Sequence, residues 1–277
     1  MNTETLKRLI IGEFSLHRLL SSAIIIYIGV GIWAYFGTDG LIFLPPPASY
    51  SRTNELIQLQ AKNGERITAL YLANPESQYT ILYSHGNAED IGQTTFHLQQ
   101  LREVGFSVLV YDYPGYGTST GKPTVKGAYR AINAAYTHLT RDLNIPPHQI
   151  IVYGRSVGGG PSVDLASRQP VGGLILESSF VSIFRVVTRI RLFPFDKFPN
   201  LANIRKVNCP VLIMHGDRDR VIPFWHGEKL YAKANEPKMS FWVEGADHNN
   251  VLDVAGQRYQ QTLEKFIKLV ENNHGST

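Results

Sequence analysis

Short apolar runs of strand length alternate with longer stretches of helical pattern along most of this chain. Residues 66–72 alternate apolar and polar positions and predict an early antiparallel strand. Further runs predict buried strands at 80–83, 106–111, 149–153, 174–176, 211–214 and 239–243. Segments of helical pattern lie between strands at 92–104 and 124–143, and a closing one follows at 251–270. Strands separated by helices predict an α/β fold with a mostly parallel central sheet that helices cover on both faces.

The N-terminal region carries a different pattern. Residues 19–36 contain no charged side chain and predict a helix of ~27 Å, close to the ~30 Å hydrocarbon core of a bilayer. This run is longer than the apolar region of a signal peptide, and no small-x-small cleavage site follows it. We therefore expect a single transmembrane anchor. A helix that lies in the membrane plane or packs on the domain is the alternative.

The charges around this apolar run predict its orientation. Lys7, Arg8 and Arg18 precede it, and no lysine or arginine follows until Arg52. The positive-inside rule then puts the N-terminus in the cytoplasm and the folded domain on the opposite side of the membrane. The expected organisation is a cytoplasmic segment at 1–18, a transmembrane anchor at 19–36, a linker at 37–50, a domain at 51–272 and a tail at 273–277.

Composition and charge fit a globular protein and exclude some functions. Hydrophobic residues make up 43% of the 277 residues, and such a length can bury a large core without a disulfide or a structural metal. Cys209 is the only cysteine, so no internal disulfide can form. The net charge of +4 comes from scattered basic residues without a long Lys/Arg run, which argues against nucleic acid as a partner.

A turn between a predicted strand and a predicted helix is the strongest candidate for chemistry. Its sequence is Gly154-Arg155-Ser156-Val157-Gly158. A serine in such a turn is held in a strained conformation, with its hydroxyl exposed above the sheet. Glycines are needed at both ends, because a side chain there would collide where the strand and the helix pass closely. Ser156 is therefore predicted to be a nucleophile at the carboxyl end of a strand.

A serine hydroxyl needs a base and an orienting acid, and in this kind of sheet they follow in the order Asp or Glu, then His. The strand predicted at 211–214 leads into a loop with Asp217 and Asp219, and the strand at 239–243 leads into a loop with His248. We expect His248 to be the general base and Asp219 to be the acid that orients it. Asp217 is the alternative acid.

Two backbone amides are expected to form an oxyanion hole. One belongs to Val157, directly after the nucleophile, and the other to Asn87, in the loop after the strand at 80–83. A metal centre is the competing interpretation of the His and Asp residues. The chain has neither a His-Glu-x-x-His motif nor paired cysteines, and no phosphate-binding glycine loop. We therefore expect a site without a metal or a cofactor.

Several segments between residues 80 and 270 match the motifs of one known group of proteins. Five of them are Ser84-His85-Gly86-Asn87-Ala88, Tyr111-Asp112-Tyr113, Gly154-x-Ser156-x-Gly158, Pro210-Val211-Leu212-Ile213-x-His215-Gly216 and Trp242-Val243-Glu244-Gly245-Ala246-x-His248-Asn249. Together they resemble the α/β-hydrolase domain-containing proteins numbered 17, which are membrane-associated depalmitoylases, and more loosely those numbered 13. The resemblance implies the α/β-hydrolase fold with a short lid at about 179–207. Carried over by position, the family's triad falls on Ser156, Asp219 and His248.

The resemblance also implies hydrolysis of acyl esters or thioesters through an acyl-enzyme, with S-palmitoylated proteins as one substrate class. Those depalmitoylases reach membranes through a lipidated, cysteine-rich N-terminus, whereas this chain has an apolar segment and no cysteine there. We expect a small-molecule or acylated-protein ester or thioester as the substrate, at a membrane. A peptidase or aminopeptidase on the same scaffold, and a non-catalytic membrane-tethered binding module, are the alternatives.

The expected lid mixes aromatic, aliphatic and basic residues, and Asp196 is its only acid. One hypothesis is a lid that accommodates acyl chains and lies against an anionic membrane surface. The other is an ordinary amphipathic helix with a solvated basic face.

Overall fold

The structure, a computed structural model, describes residues 16–51 and 55–274. Residues 1–15, most of the predicted cytoplasmic segment, lie outside this range, as do the end of the predicted tail and Arg52. The described residues divide into two compact units, with the boundary between Leu41 and Ile42. The larger unit thus includes residues 42–50, which the sequence analysis assigns to the linker.

The smaller unit contains helix α1, Leu16–Gly37, which covers the predicted anchor. Its 22 residues extend over ~33 Å. Among the described residues it is the one helix that is long and apolar enough to cross a membrane. A signal sequence near the N-terminus has the same length and composition. The orientation of the helix stays a prediction, because Lys7 and Arg8 lie outside the described residues.

Within the described residues, the larger unit is built on one sheet of eight strands. The strands are β1 Leu56–Gln60, β2 Arg66–Leu72, β3 Thr80–Ser84, β4 Ser107–Tyr111, β5 Ile150–Arg155, β6 Gly173–Glu177, β7 Val211–Gly216 and β8 Lys238–Val243. They lie in the order β1-β2-β4-β3-β5-β6-β7-β8. Only β1 with β2 and β2 with β4 pair in antiparallel fashion, and the other neighbours are parallel. The predicted α/β-hydrolase sheet is confirmed.

Helices cover both faces of this sheet. They are α3 Thr95–Glu103, α4 Val125–Thr137, α5 Gly159–Ala166, α6 Ile183–Thr188, α7 Asn200–Asn203, α8 Trp225–Lys233, α9 Val251–Ala255 and α10 Gln257–His274. The short helix α2, Asp39–Ile42, follows α1 in the chain. Successive strand residues enter opposite core layers: Leu82 and Val152 pack with α4 and α5, while Ile81 and Ile151 pack with α3 and α10. Because these strands are buried on both faces, their apolar runs are nearly continuous.

The helices differ from the predicted segments in four places. The segment at 124–143 ends in a π-type turn at His138–Asp142, and the segment at 92–104 begins as a 3-10 turn at Ile91–Thr94. The segment at 251–270 is interrupted at Gly256, whose φ of 53° departs from helical geometry. In the lid segment, the predicted amphipathic helix is limited to the six residues of α6.

Four elements were not predicted: the short helices α2 and α7 and, as the larger omissions, strand β1 and helix α8. Strand β1 is a five-residue edge strand with only one buried side chain, so its apolar pattern is weak. Helix α8 follows the loop that carries Asp219. Both elements owe their form to the partners they pack on rather than to a strong local pattern.

Candidate active site

Ser156 lies in a sharp turn between β5 and α5. Its φ of 51° falls in the left-handed region, which a non-glycine residue adopts at a cost, so the predicted strained turn is present. A Cβ at Gly154 would lie 2.6 Å from the Gly158 carbonyl oxygen, and one at Gly158 would lie 2.1 Å from that of Ser84. The close passage of strand and helix therefore requires glycine at both ends of the turn.

The side chains of Ser156, His248 and Asp219 form one chain of hydrogen bonds. His248 Nε2 lies 2.9 Å from Ser156 Oγ, and His248 Nδ1 lies 2.7 Å from Asp219 Oδ2. A carboxylate can only accept, so the imidazole proton resides on Nδ1 and leaves Nε2 free to accept from the serine hydroxyl. The histidine comes from the loop after β8 and the aspartate from the loop after β7, at the carboxyl edge of the sheet.

The Asp219 carboxylate is buried and surrounded by donors. Its Oδ1 accepts from the amides of Val221 at 2.9 Å and Ile222 at 2.7 Å, and its Oδ2 lies 3.3 Å from His215 Nε2. Burial alone would raise the pKa of Asp219, but the hydrogen bonds from His215, His248 and the backbone lower it well below its usual value. The carboxylate is therefore ionised and held in one orientation.

Asp217, the alternative acid, occupies a different position in the same loop. Its side chain is exposed, and its Oδ1 accepts from the amide of Gly245 at 2.7 Å. It therefore holds the start of the loop that carries His248 and makes no hydrogen bond to the imidazole. The geometry therefore favours Asp219 as the partner of His248.

In the loop after β3, the backbone of Gly86 is held at both its carbonyl oxygen and its amide. His85 Nδ1 lies 2.8 Å from the Gly86 carbonyl oxygen, and because that oxygen only accepts, the ring nitrogen donates. The amide of Gly86 donates to Glu89 Oε1. His85 is completely buried beside Asp112, which agrees with a structural role at the strand end.

The side chain of Asn87 connects the same loop to two other segments of the chain. Its Oδ1 accepts from Tyr116 Oη at 2.7 Å and from the amide of Leu44 at 3.0 Å, and its Nδ2 donates to the Ile42 carbonyl at 2.7 Å. The backbone amide of Asn87 donates to no acceptor among the described residues. That amide is therefore available in a loop whose conformation is closely constrained.

Val157 is the second residue of the 3-10 turn Ser156–Gly158 that leads into α5. The first amides of a helix have no acceptor within it and carry a partial positive charge. The Val157 side chain is buried, so its backbone has little freedom to move. The two amides predicted for the oxyanion hole thus belong to two constrained segments, the loop after β3 and the turn that carries Ser156.

A cavity of about 520 Å³ opens beside His248. It is lined by Arg220, Val221, Asp247, His248, Asn249 and Asn250. A larger cavity of about 820 Å³ lies between β1 and α4 and does not include Ser156 or His248. The smaller cavity is therefore the one associated with the candidate site. Among the described residues, no cluster of three or more His, Cys, Asp or Glu side chains is suited to hold a metal ion.

The lid segment is attached to the site at its base. Ser179 Oγ donates to the Ser156 carbonyl at 3.3 Å, and the amide of Val181 donates to His226 Nδ1 at 3.2 Å. Farther along, Val187 is 85% exposed and Ile190 is 63% exposed. The lid therefore combines a fixed base with an apolar surface that faces outward.

One residue of the site lies inside the predicted turn, but no role was predicted for it. Arg155 occupies the variable position before Ser156, and its guanidinium contacts Glu89, Glu177 and Asn249. An arginine at the end of a buried apolar strand is the signal that could have revealed it. Its partners come from three separate loops or strands, which no local pattern connects.

Comparison with known proteins supports the fold and the family. A family model described as Serine aminopeptidase, S33 matches residues 75–197. The chain is 41% identical to human α/β-hydrolase domain-containing protein 17B over 217 residues, which are 77% of this chain and 75% of that protein. It is 39% identical to α/β-hydrolase domain-containing protein 17C of Xenopus tropicalis over 77% of this chain and 69% of that protein.

Solved structures agree at the level of the fold. An esterase from Pyrococcus furiosus superposes with a TM-score of 0.68 at 18% identity and covers 81% of this chain and 98% of that one. An esterase from Exiguobacterium antarcticum gives a TM-score of 0.58 at 18% identity, over 76% and 98%. The identity to the 17B and 17C proteins, over most of their length, shows the family as well as the fold. This chain is a member of the α/β-hydrolase domain-containing protein 17 family of α/β-hydrolases.

Proposed function

We propose that this chain is a serine hydrolase that cleaves acyl ester or thioester bonds through Ser156, His248 and Asp219. The observation that carries the proposal is the continuous hydrogen-bonded chain from Asp219 through His248 to Ser156, with separations of 2.7 and 2.9 Å. A nucleophile in a strained turn, a neutral base and an ionised orienting acid are the three parts that acyl transfer to serine requires.

The first half-reaction is acylation of Ser156. Its Oγ attacks the acyl carbon while His248 Nε2 takes the hydroxyl proton, and the carbonyl oxygen becomes an oxyanion. The amides of Val157 and Asn87 are the proposed donors to that oxyanion, and each such donor typically contributes ~2.7–4 kcal/mol to transition-state stabilisation. The intermediate then expels the alcohol or thiol, which receives the proton from His248, and the acyl-enzyme remains.

The second half-reaction is hydrolysis of the acyl-enzyme. His248 takes a proton from a water molecule, whose oxygen attacks the acyl carbon. Collapse of the second intermediate breaks the bond to Ser156 Oγ, and the serine recovers its proton from His248. In both steps Asp219 stabilises the imidazolium without accepting its proton, which agrees with the lowered pKa of its carboxyl.

We further propose that the substrates are lipid-like or acylated molecules at a membrane. Helix α1 has the length and composition of an anchor, and the lid exposes Val187 and Ile190 next to basic residues. Such a surface suits an acyl chain or an anionic bilayer. The positive-inside prediction puts the catalytic domain on the side opposite the N-terminus. Protease protection of the domain in sealed vesicles tests that orientation.

The experiment that tests the activity is labelling of the purified full chain with a fluorophosphonate probe. We expect labelling of the wild type and none of the Ser156→Ala variant. A series of p-nitrophenyl esters and matching acyl thioesters of increasing chain length then reports acyl preference. Absence of wild-type labelling, or equal labelling of the variant, contradicts the proposal and leaves the non-catalytic binding module. A strong preference for acetate over longer acyl groups contradicts a lipid-like substrate.

A peptidase is the second candidate, since the matching family model is described as a serine aminopeptidase. Recognition of a free α-amino group needs an acidic side chain near the site. Asp196 is the only acid in the lid, and its carboxylate accepts from the amide of Lys197 at 3.0 Å. Burial raises the pKa of Asp196 and so disfavours its charged form. Amino-acid p-nitroanilides distinguish the two candidates, and turnover faster than that of the esters would favour the peptidase.

A further inference from the structure

Arg155 links three parts of the candidate site through one guanidinium. It is the last residue of β5 and immediately precedes Ser156. Its Nη1 donates to Glu89 Oε1 at 2.9 Å, its Nη2 donates to Asn249 Oδ1 at 2.8 Å, and its Nε lies 3.4 Å from Glu177 Oε1. The guanidinium is planar and rigid, so these contacts fix the relative positions of the three partners.

The contact with Glu89 reaches the proposed oxyanion loop. The same oxygen, Glu89 Oε1, accepts from the amide of Gly86, the residue before Asn87. A Cβ at Gly86 would lie 2.7 Å from Glu89 Oε1 and 3.1 Å from Arg155 Nη1. The backbone can approach this ion pair so closely only because residue 86 has no side chain. Arg155 is thus connected through one carboxylate to the backbone that carries the Asn87 amide.

The contact with Asn249 reaches the loop of the proposed base, because Asn249 directly follows His248. The third contact anchors the guanidinium in the core. Glu177 is buried at the end of β6, and its Oε2 accepts from Tyr153 Oη and from Tyr259 Oη at 3.1 Å. The carboxylate at the base of the arrangement therefore cannot follow the movements of the surface loops.

We propose that Arg155 is a positioning residue that holds the Gly86–Asn87 peptide and the His248 loop in register around Ser156. This inference rests on the proposed function. The two loops are far apart in the chain, and the guanidinium bridges them on the strand that carries the nucleophile. A displacement of ~1 Å in such a constellation can slow the chemical step about 10²-fold. Because Arg155 itself does not line the cavity beside His248, its loss affects kcat more than KM.

The test compares variants of the full chain on a soluble short-chain ester, p-nitrophenyl butyrate, and by the rate of fluorophosphonate labelling. Arg155→Gln removes the bridge. Arg155→Lys keeps the charge but cannot make three divergent contacts. Asn249→Ala removes only the arm to the histidine loop, and its exposed position leaves the fold intact.

The matched control is the Arg130→Gln variant. Arg130 donates through Nε and Nη2 to Glu65 Oε2 at 3.3 and 3.0 Å, and the two side chains are 30% and 17% exposed. This ion pair joins α4 to the turn before β2 and contacts none of the three triad residues. It therefore reports what the loss of a partly buried arginine pair does to the whole domain.

We expect Arg155→Gln and Arg155→Lys to lower kcat and the labelling rate by at least about 10-fold, with KM changed by less than about 3-fold. Asn249→Ala should lower kcat by a smaller factor, and the Arg155→Gln/Asn249→Ala double variant should equal Arg155→Gln alone, since both act through one bridge. If the wild type is active and Arg155→Gln or Arg155→Lys loses no more kcat than Arg130→Gln, the inference is wrong. If the wild type neither labels nor turns over, the proposed function itself fails.

Discussion

Asp219 and His248 are joined by a 2.7 Å contact between Oδ2 and Nδ1, although 29 positions separate them in the chain. The same oxygen lies 3.3 Å from His215 Nε2, whose nearer partner is the Ile222 carbonyl oxygen at 2.8 Å. His215 therefore borders the carboxylate, and His248 is the histidine that reaches Ser156. Because of this contact, the hydrogen-bonded chain from Ser156 through His248 ends at Asp219 and not at Asp217, whose carboxylate accepts from the Gly245 amide.

Substitution of the two aspartates separates their roles. Asp219→Asn keeps the shape but favours the wrong imidazole tautomer, so kcat should fall by about 10³–10⁴-fold. Asp217→Asn should lower kcat by less than about 10-fold, since Asp217 contacts only the backbone of the neighbouring loop. Both values come from steady-state hydrolysis of one p-nitrophenyl ester. A greater loss in Asp217→Asn would make Asp217 the triad acid.

Close packing in the turn Gly154-Arg155-Ser156-Val157-Gly158 requires glycine at position 158. A Cβ there would lie 2.1 Å from the Ser84 carbonyl oxygen and 2.7 Å from that of His85, and neither backbone atom can move aside cheaply. We expect Gly158→Ala to lower the free energy of unfolding by about 3 kcal/mol or more, or to prevent folding. Gly40→Ala is the control, since nothing lies within 4 Å of a Cβ at that position. Urea denaturation measures both, and equal stability of the two variants would contradict the packing argument.

A neutral His226 stabilises the base of the lid. Burial first, and then the charges of His215 and Lys229, lower the pKa of His226 to about 3, and its Nδ1 accepts from the amide of Val181. In the unfolded chain a histidine has a pKa of ~6.5 and binds a proton as the pH falls below that value. The unfolded state then binds more protons than the folded state. The free energy of unfolding therefore decreases as the pH is lowered from about 6.5 to about 3.

This linkage predicts that His226 contributes about 1–3 kcal/mol to the loss of stability between pH 7 and pH 4. The His226→Gln variant can still accept from Val181 through its amide oxygen but does not titrate. Its free energy of unfolding should therefore depend less on pH than that of the wild type, as measured by urea denaturation across this range. Parallel pH profiles for the two proteins would show that His226 is not the group responsible.

The exposed apolar residues of the lid should matter only for long acyl chains. Replacement of Val187 and Ile190 by serine removes the apolar surface. It leaves intact the hydrogen bond from the Val181 amide that holds the base of the lid. We expect hydrolysis of a long-chain ester presented in anionic vesicles to fall by about 5-fold or more, while that of p-nitrophenyl butyrate stays within about 2-fold. Leu143→Ser, at another exposed apolar position, is the control. An equal effect on both esters would exclude a role of this surface in acyl recognition.

Much of the architecture follows from the chain alone, because the relevant interactions are local. The continuous apolar runs predict strands buried on both faces, and their alternation with helices predicts the parallel sheet. The turn around Ser156 could be predicted for the same reason, since its two glycines and the serine lie within five consecutive residues. The apolar length of α1 is likewise a property of sequence, whereas its orientation depends on residues outside the described range.

Other features depend on which segments meet in space. The sequence favours Asp219 over Asp217 as the acid but gives no contact of either, and the course of the loop brings Asp219 to His248 while it turns Asp217 toward Gly245. The arginine bridge joins Arg155 to Glu89 and Asn249, whose positions in the chain reveal no relationship. The sequence by itself determined the strands, the elbow and the candidate residue types, since these depend on periodicity and steric rules between neighbours. The tertiary structure alone decided the distances within the chain from Asp219 to Ser156 and the partners of Arg155, because hydrogen bonds between distant segments exist only after the sheet has assembled.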